Sequence, residues 1–471
     1  MTIHTQDAAL QGGSKSDSDE ESLLEMESVT KHFPVKTGFL ADIFGTDYVH
    51  AVDDVSFDLD RKETLAIVGE SGCGKSTLAR TIVQLEDPTD GSIRFKGQEL
   101  TDLSSREIRS LRQDMQMMFQ DPKSSLNPRM TVGSIIEEPM KAHDLPRIDG
   151  SATDAAPESL DEELVADEGV SKSSYRETRA RELLDLVGLS PDAYARYPHE
   201  FSGGQQQRIN LARALSTNPD LIIFDEPVSA LDVSVQAQVL NKIQEIQAQM
   251  DLTYLVISHD MGVVRYIADR VAVMYLGHLV ELGEAEEVFE NPQHPYTDGL
   301  LKAIPRPDPR KRGTRNSLEG EVPSPEDPPS GCRFRTRCPE LIQPGVGEAT
   351  LEGLSESVAQ ARLDTYEMDD EKWKSTLRFL RAVERREFTS EDADHLEQEY
   401  FPEGIPSGEP GDVVSEALTL VQKGDIETAA TLLMNTFEEN SICALERPEY
   451  TVEAEIEGEE HLACCHHCRS Q

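Results

Sequence analysis

Apolar and polar positions follow two patterns in the first part of the chain. Short, largely apolar runs at 64–69, 221–227 and 253–260 predict buried strands of a parallel sheet, and the last two end in carboxylates and a histidine. Stretches with helical apolar spacing, beginning with STLARTIVQL, predict helices between them. Two stretches that alternate residue by residue, LLEMESVTKHF and VHAVDDVSFDL, predict further strands, the first of them at a sheet edge. This succession up to about residue 290 predicts an α/β domain with a mostly parallel core sheet.

The pattern changes after this domain. Residues 304–330 are rich in proline, glycine and arginine and predict an extended linker. Helical spacing returns in EKWKSTLRFLRAVERREF and in ALTLVQKGDIETAATLLMNTF, the latter as a helix pair with its turn at residues 423–425. The predicted parts are a disordered tail at 1–22, the α/β domain at 23–290 with an acidic insert at about 145–175, an extension with a proline-rich linker at 291–341, an inserted helical segment at 342–440 and a Cys/His segment at 441–471.

Charge narrows the possible environment. The 471 residues include 89 Asp and Glu against 45 Lys and Arg, a formal net charge of −44. This balance disfavours free nucleic acid as a partner, because phosphate binding needs a basic surface. Such a charge repels itself except in molar salt, where the Debye length falls to about 3 Å. We therefore expect a salt-adapted protein from a halophilic archaeon; the alternative is an ordinary protein with a few acidic disordered inserts.

Membrane and redox signals point to the cytoplasm. No apolar run in the sequence reaches the roughly 18 residues of a spanning helix. The first residues carry neither the basic nor the apolar region of a secretory signal, so we expect membrane contact only through partners. Six of the seven cysteines follow residue 330, which predicts metal ligands or free thiols rather than disulfides.

Residues 69–76 fit the pattern G-x4-G-K-[ST] between a predicted strand and a predicted helix. Glycines allow backbone N–H groups to surround phosphate oxygens, and the helix directs its positive end to the same place. Lys75 is predicted to neutralise the β- and γ-phosphates and Ser76 to bind Mg²⁺, whereas Cys73 is interpreted as a filler without a redox role. The predicted nucleotide-binding residues of this loop are Gly69, Glu70, Ser71, Gly72, Cys73, Gly74, Lys75, Ser76 and Thr77.

Two carboxylates complete this half of the site. Asp225 ends the buried run LIIFD and is predicted to hold Mg²⁺. Glu226 follows it and is predicted to polarise an attacking water.

A second anion-binding helix start is predicted within YPHEFSGGQQQRINLARAL. It is formed by Ser202, Gly203, Gly204 and Gln205. One chain would then own two separate phosphate-binding surfaces.

With these motifs the chain resembles an ABC-type ATPase, for which SGGQ is the family signature. It is most similar to the ATP-binding subunits of oligopeptide/dipeptide and nickel importers, of the F type. QMMFQDPKSSLNPRMTVG matches the Q-loop and gives Gln120, a further Mg²⁺ contact; DEPVSALDVSVQAQVLN gives Asp232, and VISHDMGVV gives the switch histidine His259. NPQHPYTDGLLKAIPRPDP matches the peptide-importer extension, and Phe33 lies where the family places an aromatic ring on adenine.

The resemblance implies a P-loop ABC fold, with a RecA-like core and antiparallel β and helical subdomains, and a C-terminal Cys-containing extension. It implies ATP and Mg²⁺ as cofactors and a dimer in which each ATP lies between Lys75 of one subunit and the SGGQ helix start of the other. The implied partners are a second ABC ATPase subunit, identical or homologous, two transmembrane permease subunits and, indirectly, an extracytoplasmic solute-binding protein, with no nucleic acid. The subunit would lie at the cytoplasmic face of the cell membrane.

Peptide is the substrate that the resemblance favours, while nickel or another small solute stays open. An alternative of another class is a soluble ABC ATPase acting on nucleic acid or ribosomes, against which the single ATPase unit and acidic composition count. A third is a regulatory subunit that binds ATP without hydrolysing it.

The cysteines of the extension also match the family. In GCRFRTRCP, CALERP and HLACCH, the residues Cys332, Cys338, Cys443 and Cys465 occupy the positions of [4Fe–4S] ligands. Four thiolates suit structural zinc equally, and unmetallated thiols stay open. Cys464, His467 and Cys468 compete for the last position.

Overall fold

The computed structural model describes residues 22–35, 47–121, 125–146, 171–229, 231–303, 318, 320–339, 341, 370–386, 395–406, 408–438, 441–445, 450–453 and 460–465. The predicted tail up to residue 21, most of the acidic insert, residues 304–317 of the linker and the competing ligands His467 and Cys468 lie outside these residues.

Twelve strands form two sheets within the described part of the chain. They are β1 Leu24–Val35, β2 Asp47–Leu59, β3 Thr64–Val68, β4 Asp90–Phe95, β5 Gln98–Glu99, β6 Met115–Met118, β7 Leu221–Asp225, β8 Thr253–Ser258, β9 Arg270–Tyr275, β10 His278–Glu284, β11 Tyr450–Glu453 and β12 Glu460–Ala463.

The larger sheet has the order β11-β12-β10-β9-β3-β8-β7-β6. Its five strands from β9 to β6 are parallel, as the apolar runs predict, and β3, β7 and β8 are buried along their whole length. Because parallel strands end at one edge of a sheet, the residues that follow β3, β7 and β8 come together there. The C-terminal hairpin of β11 and β12 extends this sheet beyond β10.

The smaller sheet is antiparallel, with the order β2-β1-β4-β5. The predicted edge position of β1 is wrong, because β1 pairs with both β2 and β4. Alternation reports that one face of an antiparallel strand is buried and the other exposed, which holds for inner and edge strands alike.

Helices follow the strands as their apolar spacing predicts. They are α1 Lys75–Ile82, α2 Ser105–Leu111, α3 Val132–Ala142, α4 Lys172–Leu186, α5 Gly203–Leu215, α6 Val233–Met250, α7 Met261–Ile267, α8 Ala285–Glu290, α9 Pro295–Ala303, α10 Asp370–Arg385, α11 Leu396–Tyr400, α12 Glu409–Gln422, α13 Ile426–Leu433 and α14 Ile442–Leu445. The predicted helix pair with its turn at 423–425 is confirmed by α12 and α13. None of the described helices is long and apolar enough to cross a membrane.

Within the described part of the chain, these elements pack around three apolar cores. One lies between the large sheet and helices α3–α6, and a second lies between the two sheets around Leu65, Leu78 and Ile93. A third joins α10–α13 around Trp373 and Phe379 and includes Leu341 and Cys443. Because the third core is separate, helices α10–α13 form an inserted helical unit of their own.

Candidate functional site

The phosphate loop between β3 and α1 depends on two glycines. Gly74 has a φ of 110°, and a Cβ atom there would lie 2.0 Å from the carbonyl oxygen of Ala51. A Cβ atom on Gly69 would lie 2.1 Å from the carbonyl oxygen of Met274. Only glycine fits both positions, so this compact loop leads directly into the N-terminus of α1, where Ser76 and Thr77 lie in the first turn.

Lys75 is buried and its ammonium group is held by the loop itself. Its Nζ donates to the carbonyl oxygens of Gly69 and Glu70, each at 2.8 Å, and lies 3.5 Å from Sγ of Cys73. Burial raises the pKa of the Cys73 thiol, which keeps this sulfur protonated and inert. A positive charge among backbone N–H groups suits a polyphosphate.

The end of β7 meets the phosphate loop at Ser76. The Ser76 hydroxyl donates to Oδ1 of Asp225 at 2.9 Å. Burial raises the pKa of Asp225, and the neighbouring charge of Glu226 adds to the rise although the Ser76 hydrogen bond opposes it. A hydroxyl and a poorly solvated carboxylate side by side are oxygen donors of the kind that Mg²⁺ prefers, so these residues fit the predicted ion.

Glu226 is the meeting point of three elements. Its Oε2 accepts from Nε2 of Gln120 at 2.6 Å, and its Oε1 lies 2.8 Å from Nδ1 of His259. Its backbone is left-handed, with a φ of 52°, a conformation that non-glycine residues adopt mostly at functional turns. The structure therefore brings together Gln120 after β6, Glu226 after β7 and His259 after β8, which suits the orientation of a water molecule.

Phe33 lies on β1, opposite Val49 of β2. Its ring is partly buried, with Nζ of Lys31 4.8 Å from the ring centroid. Ala51, two residues beyond Val49, is the residue whose carbonyl oxygen approaches Gly74. The strand pair that carries Phe33 thus flanks the phosphate loop.

The SGGQ motif starts α5. The Ser202 hydroxyl accepts from the backbone N–H of Gln205, and the Gln205 side chain accepts from the backbone N–H of Ser202, in a capping box. A Cβ atom on Gly204 would lie 2.4 Å from Val235, so this helix start packs against the beginning of α6.

The residues beside this helix start face solvent. Asp232 is exposed, and the apolar Val233 that follows it is 81% exposed. Ala230, which belongs to the same sequence motif as Asp232, lies outside the described residues. The SGGQ helix start therefore lies beside a solvent-exposed part of the surface.

The extension supports the phosphate loop, which the motifs alone did not predict. The hydroxyl of Tyr296 accepts from the backbone N–H of Glu70 at 2.9 Å. His294 is fully buried beside it, and burial lowers the pKa of His294 to about 4. Arg337 binds both carboxylate oxygens of Glu70, at 2.6 and 3.1 Å. The NPQHPYT motif and the arginines of GCRFRTRCP were the available signals.

Asp53 on β2 is another residue that the sequence motifs did not predict, and it contacts several polar side chains. Its carboxylate lies 3.3 Å from His32 and 3.4 Å from His50, and it accepts a hydrogen bond from Arg333. Burial alone would raise the pKa of Asp53. A hydrogen bond with His278 and the charge of Arg333 outweigh this effect and hold the pKa of Asp53 well below its usual range. In the described part of the chain, His32, His50 and Asp53 are the one group whose metal-ligating atoms all lie within 4.8 Å. The guanidinium already neutralises this carboxylate, which disfavours a cation there.

Three of the four predicted thiol ligands influence one another, although no three cysteine sulfurs of the described residues lie within 4.8 Å. The backbone N–H of Cys332 donates to the carbonyl oxygen of Cys443 at 2.7 Å. Burial raises the pKa of the Cys332 thiol, and the Cys443 and Cys465 sulfurs raise it further. Cys338 is buried at the end of the same short segment, and Cys464 bonds through its backbone N–H to Val280. Buried thiols in this state become thiolates when a metal takes the proton's place, so the donor set fits a thiophilic metal.

A groove opens next to Gln120. It has a volume of about 410 Å³, and its lining includes Leu85, Met117, Phe119, His143 and Arg213. Leu85 is 49% exposed and Phe119 41% exposed. Such an apolar groove rimmed by charge is typical of a protein interface.

Comparisons with known proteins bear on three parts of the chain. The family model of ABC transporters matches residues 52–229, and the model of the oligopeptide/dipeptide transporter C-terminal region matches 280–343. A model of a domain of unknown function matches 358–455. The oligopeptide transport ATP-binding protein AppF of Bacillus subtilis is 50% identical over 326 residues, which cover 68% of this chain and 90% of that protein. The corresponding protein OppF of Escherichia coli is 50% identical over 319 residues, which cover 67% and 88%.

Proposed function

This chain belongs to the oligopeptide transport ATP-binding proteins of the ABC transporter family, and on that basis we propose that it energises the uptake of di- and oligopeptides as an F-type subunit. The predicted ABC ATPase fold and ATPase activity are confirmed by the match to the family. The observation that carries the proposal is the contact of Glu226 with both Gln120 and His259, at the sheet edge where Ser76 bonds Asp225.

ATP binding begins at the phosphate loop. Lys75 exchanges its two carbonyl partners for phosphate oxygens, and the N-terminus of α1 adds backbone N–H donors. Ser76, Asp225 and Gln120 would hold Mg²⁺, which when bound offsets the charge that develops on the phosphate oxygens. Phe33 offers its ring to the adenine from the side of β1.

Hydrolysis is assigned to Glu226. The Glu226 carboxylate orients a water molecule and accepts a proton from it, while the water oxygen forms a bond to the γ-phosphorus. The bond to the β,γ-bridging oxygen breaks, and ADP and phosphate leave. His259 and Gln120 hold the carboxylate from its two oxygens, so its orientation is fixed before the reaction.

The second half of each site comes from another ATP-binding subunit. The capping box presents the helix start of Ser202 to Gln205, while Asp232 and Val233 beside it face solvent. Closure of two subunits on two ATP molecules covers these surfaces, and hydrolysis releases them. The companion is a second copy of this chain or a homologous subunit.

Coupling to transport is assigned to the groove beside Gln120. Leu85 and Phe119 give it an exposed apolar lining that a segment of a permease subunit can cover. Through two permease subunits the chain is placed at the cytoplasmic face of the cell membrane, below an extracytoplasmic solute-binding protein.

The thiols are assigned to a [4Fe–4S] cluster held by Cys332, Cys338, Cys443 and Cys465. Among the described residues no three cysteine sulfurs lie within 4.8 Å of one another. Burial of Cys338, Cys443 and Cys465 and the effect of Cys443 and Cys465 on the Cys332 thiol support the assignment, and structural zinc is the alternative. Visible absorbance of anaerobically purified protein, lost with Cys443→Ser, tests this assignment; stoichiometric zinc in colourless protein contradicts it.

Salt adaptation, and with it a halophilic archaeal source, is inferred from the net charge of −44. We expect the melting temperature to rise steeply from low salt to molar KCl, because screening removes self-repulsion. A melting temperature that does not depend on salt contradicts this inference.

The function is tested by reconstitution with the permease subunits and the companion ATPase subunit in liposomes. Solute-binding protein loaded with peptide should stimulate ATP hydrolysis, while the same protein presented with Ni²⁺ should not. Lys75→Ala is the control without phosphate binding. Stimulation of ATP hydrolysis by Ni²⁺ and not by peptide would make nickel the substrate. If no solute stimulates ATP hydrolysis, the assignment as an importer subunit is contradicted.

A further inference from the structure

Alternate arginines of the segment Gly331–Pro339, here called the cysteine segment, reach three different parts of the molecule. Arg333 binds Asp53 on β2, Arg335 binds Glu438 of the inserted helical unit, and Arg337 binds Glu70 of the phosphate loop. Every one of these guanidinium groups is buried. A buried charge is stable only when it is paired, so each contact fixes the position of its partner.

The contact with Glu70 acts on the phosphate loop directly. Arg337 is held in place by the hydroxyl of Tyr275 at 3.4 Å, and its side chain is 4% exposed. Two parallel hydrogen bonds to one carboxylate set both distance and orientation. The carbonyl oxygen of the same Glu70 accepts from Lys75, so Arg337 positions the backbone on which the phosphate-binding lysine rests.

The contact with Asp53 acts on the strand pair β1 and β2, which flanks the phosphate loop. Arg333 also donates to the carbonyl oxygen of Leu276, next to the turn that binds the backbone N–H of Asp53. Asp53 in turn contacts His32, the residue before Phe33. The cysteine segment therefore grips both the phosphate loop and the strand pair that carries the candidate adenine-binding ring.

Arg335, the middle of the three arginines, connects the cysteine segment to the inserted helical unit. Glu438 is fully buried, and its two oxygens bind Arg335 and Arg381, the latter at 2.5 Å. Arg381 of α10 also donates to the carbonyl oxygen of Arg335 at 2.7 Å. The inserted unit thus fixes the backbone between Arg333 and Arg337.

We propose that the cysteine segment braces the nucleotide site against the inserted helical unit, and that Arg337 is a positioning residue for ATP that acts through Glu70. The proposal rests on the proposed function only in requiring that the phosphate loop binds ATP. It gives the inserted unit a task in nucleotide affinity.

The first test measures the dissociation constant of the full chain for a fluorescent ATP analogue in molar KCl. Arg337→Gln and Glu70→Gln should each weaken binding about tenfold, because each breaks the same charge-assisted bond. The double variant should bind no worse than either single variant. Arg337→Lys should fall between wild type and Arg337→Gln, since it keeps the charge without the fork. Arg265→Gln, which breaks the exposed ion pair with Glu290, is the matched control and should leave the dissociation constant unchanged.

The second test concerns the inserted unit. Glu438→Gln should weaken nucleotide binding in the wild-type background and have no further effect in the Arg337→Gln background. Fluorescence of Trp373, the single tryptophan, reports whether the unit is still folded. If Glu438→Gln unfolds it, Arg381→Lys in the same two backgrounds replaces that variant.

Several outcomes overturn the proposal. Dissociation constants within twofold of wild type for both Arg337→Gln and Glu70→Gln remove the positioning role, even where thermal stability falls. If Glu438→Gln changes the dissociation constant equally in both backgrounds, the inserted helical unit does not act through Arg337. An unmodified chain that does not bind the analogue contradicts the proposed function as well, whereas insensitivity to Arg337→Gln contradicts this inference alone.

Discussion

Nδ1 of His259 lies 2.8 Å from Oε1 of Glu226, which joins the ends of two neighbouring parallel strands in one hydrogen bond. With Gln120 on the other oxygen, the carboxylate has a fixed orientation. The two contacts bring together a glutamate and a histidine that are 33 residues apart in the sequence, as the proposed function requires.

His259→Ala is expected to lower the rate of ATP hydrolysis by about 100-fold or more, the range of a lost general acid–base partner. The nucleotide dissociation constant should change less than threefold, because His259 lies outside the phosphate loop. Steady-state ATPase assays and nucleotide titration check this, with the exposed His199→Ala as control. Equal losses for both histidine variants would contradict the assignment.

Leu85→Glu places a charge in the groove beside Gln120 without touching the phosphate loop. We expect unchanged hydrolysis by the isolated subunit and at least tenfold weaker stimulation by permeases and peptide, because a buried unpaired charge costs several kcal/mol. Val322→Glu, at an apolar residue 40% exposed and outside the groove, is the control. Full stimulation of the Leu85→Glu variant would exclude the groove as the permease contact.

His294 makes the extension sensitive to acid. Its pKa of about 4 lies below the value of about 6.5 in an unfolded chain, so between these values only the unfolded state binds the proton. Folding stability is therefore complete above about pH 6.5 and falls by about 3 kcal/mol as the pH drops to about 4.

Hydrogen exchange of residues 291–303, followed over this pH range at constant KCl, measures the loss. His294→Asn should flatten the acid slope, whereas the exposed His395→Asn should keep it. An unchanged slope in His294→Asn would show that another group is responsible.

Much of the fold follows from local pattern. The predicted runs at 64–69, 221–227 and 253–260 are largely apolar because β3, β7 and β8, which lie within them, are buried along their whole length. Parallel strands end at one edge, and therefore the motif residues behind them had to meet.

Other features depend on contacts that no local pattern records. Alternation in LLEMESVTKHF did not distinguish an inner from an edge strand. The role of Arg337 required the distance between residue 337 and the phosphate loop, which a linker and sheet packing determine together. Cys443 packs in the core of the inserted unit although it was predicted to begin the segment after it.

The most direct test of the account is the mass of Glu226→Gln in solution with Mg-ATP, measured by light scattering in molar KCl. The variant keeps the phosphate loop and the SGGQ helix start but lacks the carboxylate that activates water, so ATP should hold two subunits together. We predict a stable ATP-dependent dimer, formed by the variant alone or with its companion subunit, which Gly203→Asp in the same background abolishes. Binding of ATP by Glu226→Gln with no dimer in either mixture would contradict the shared site.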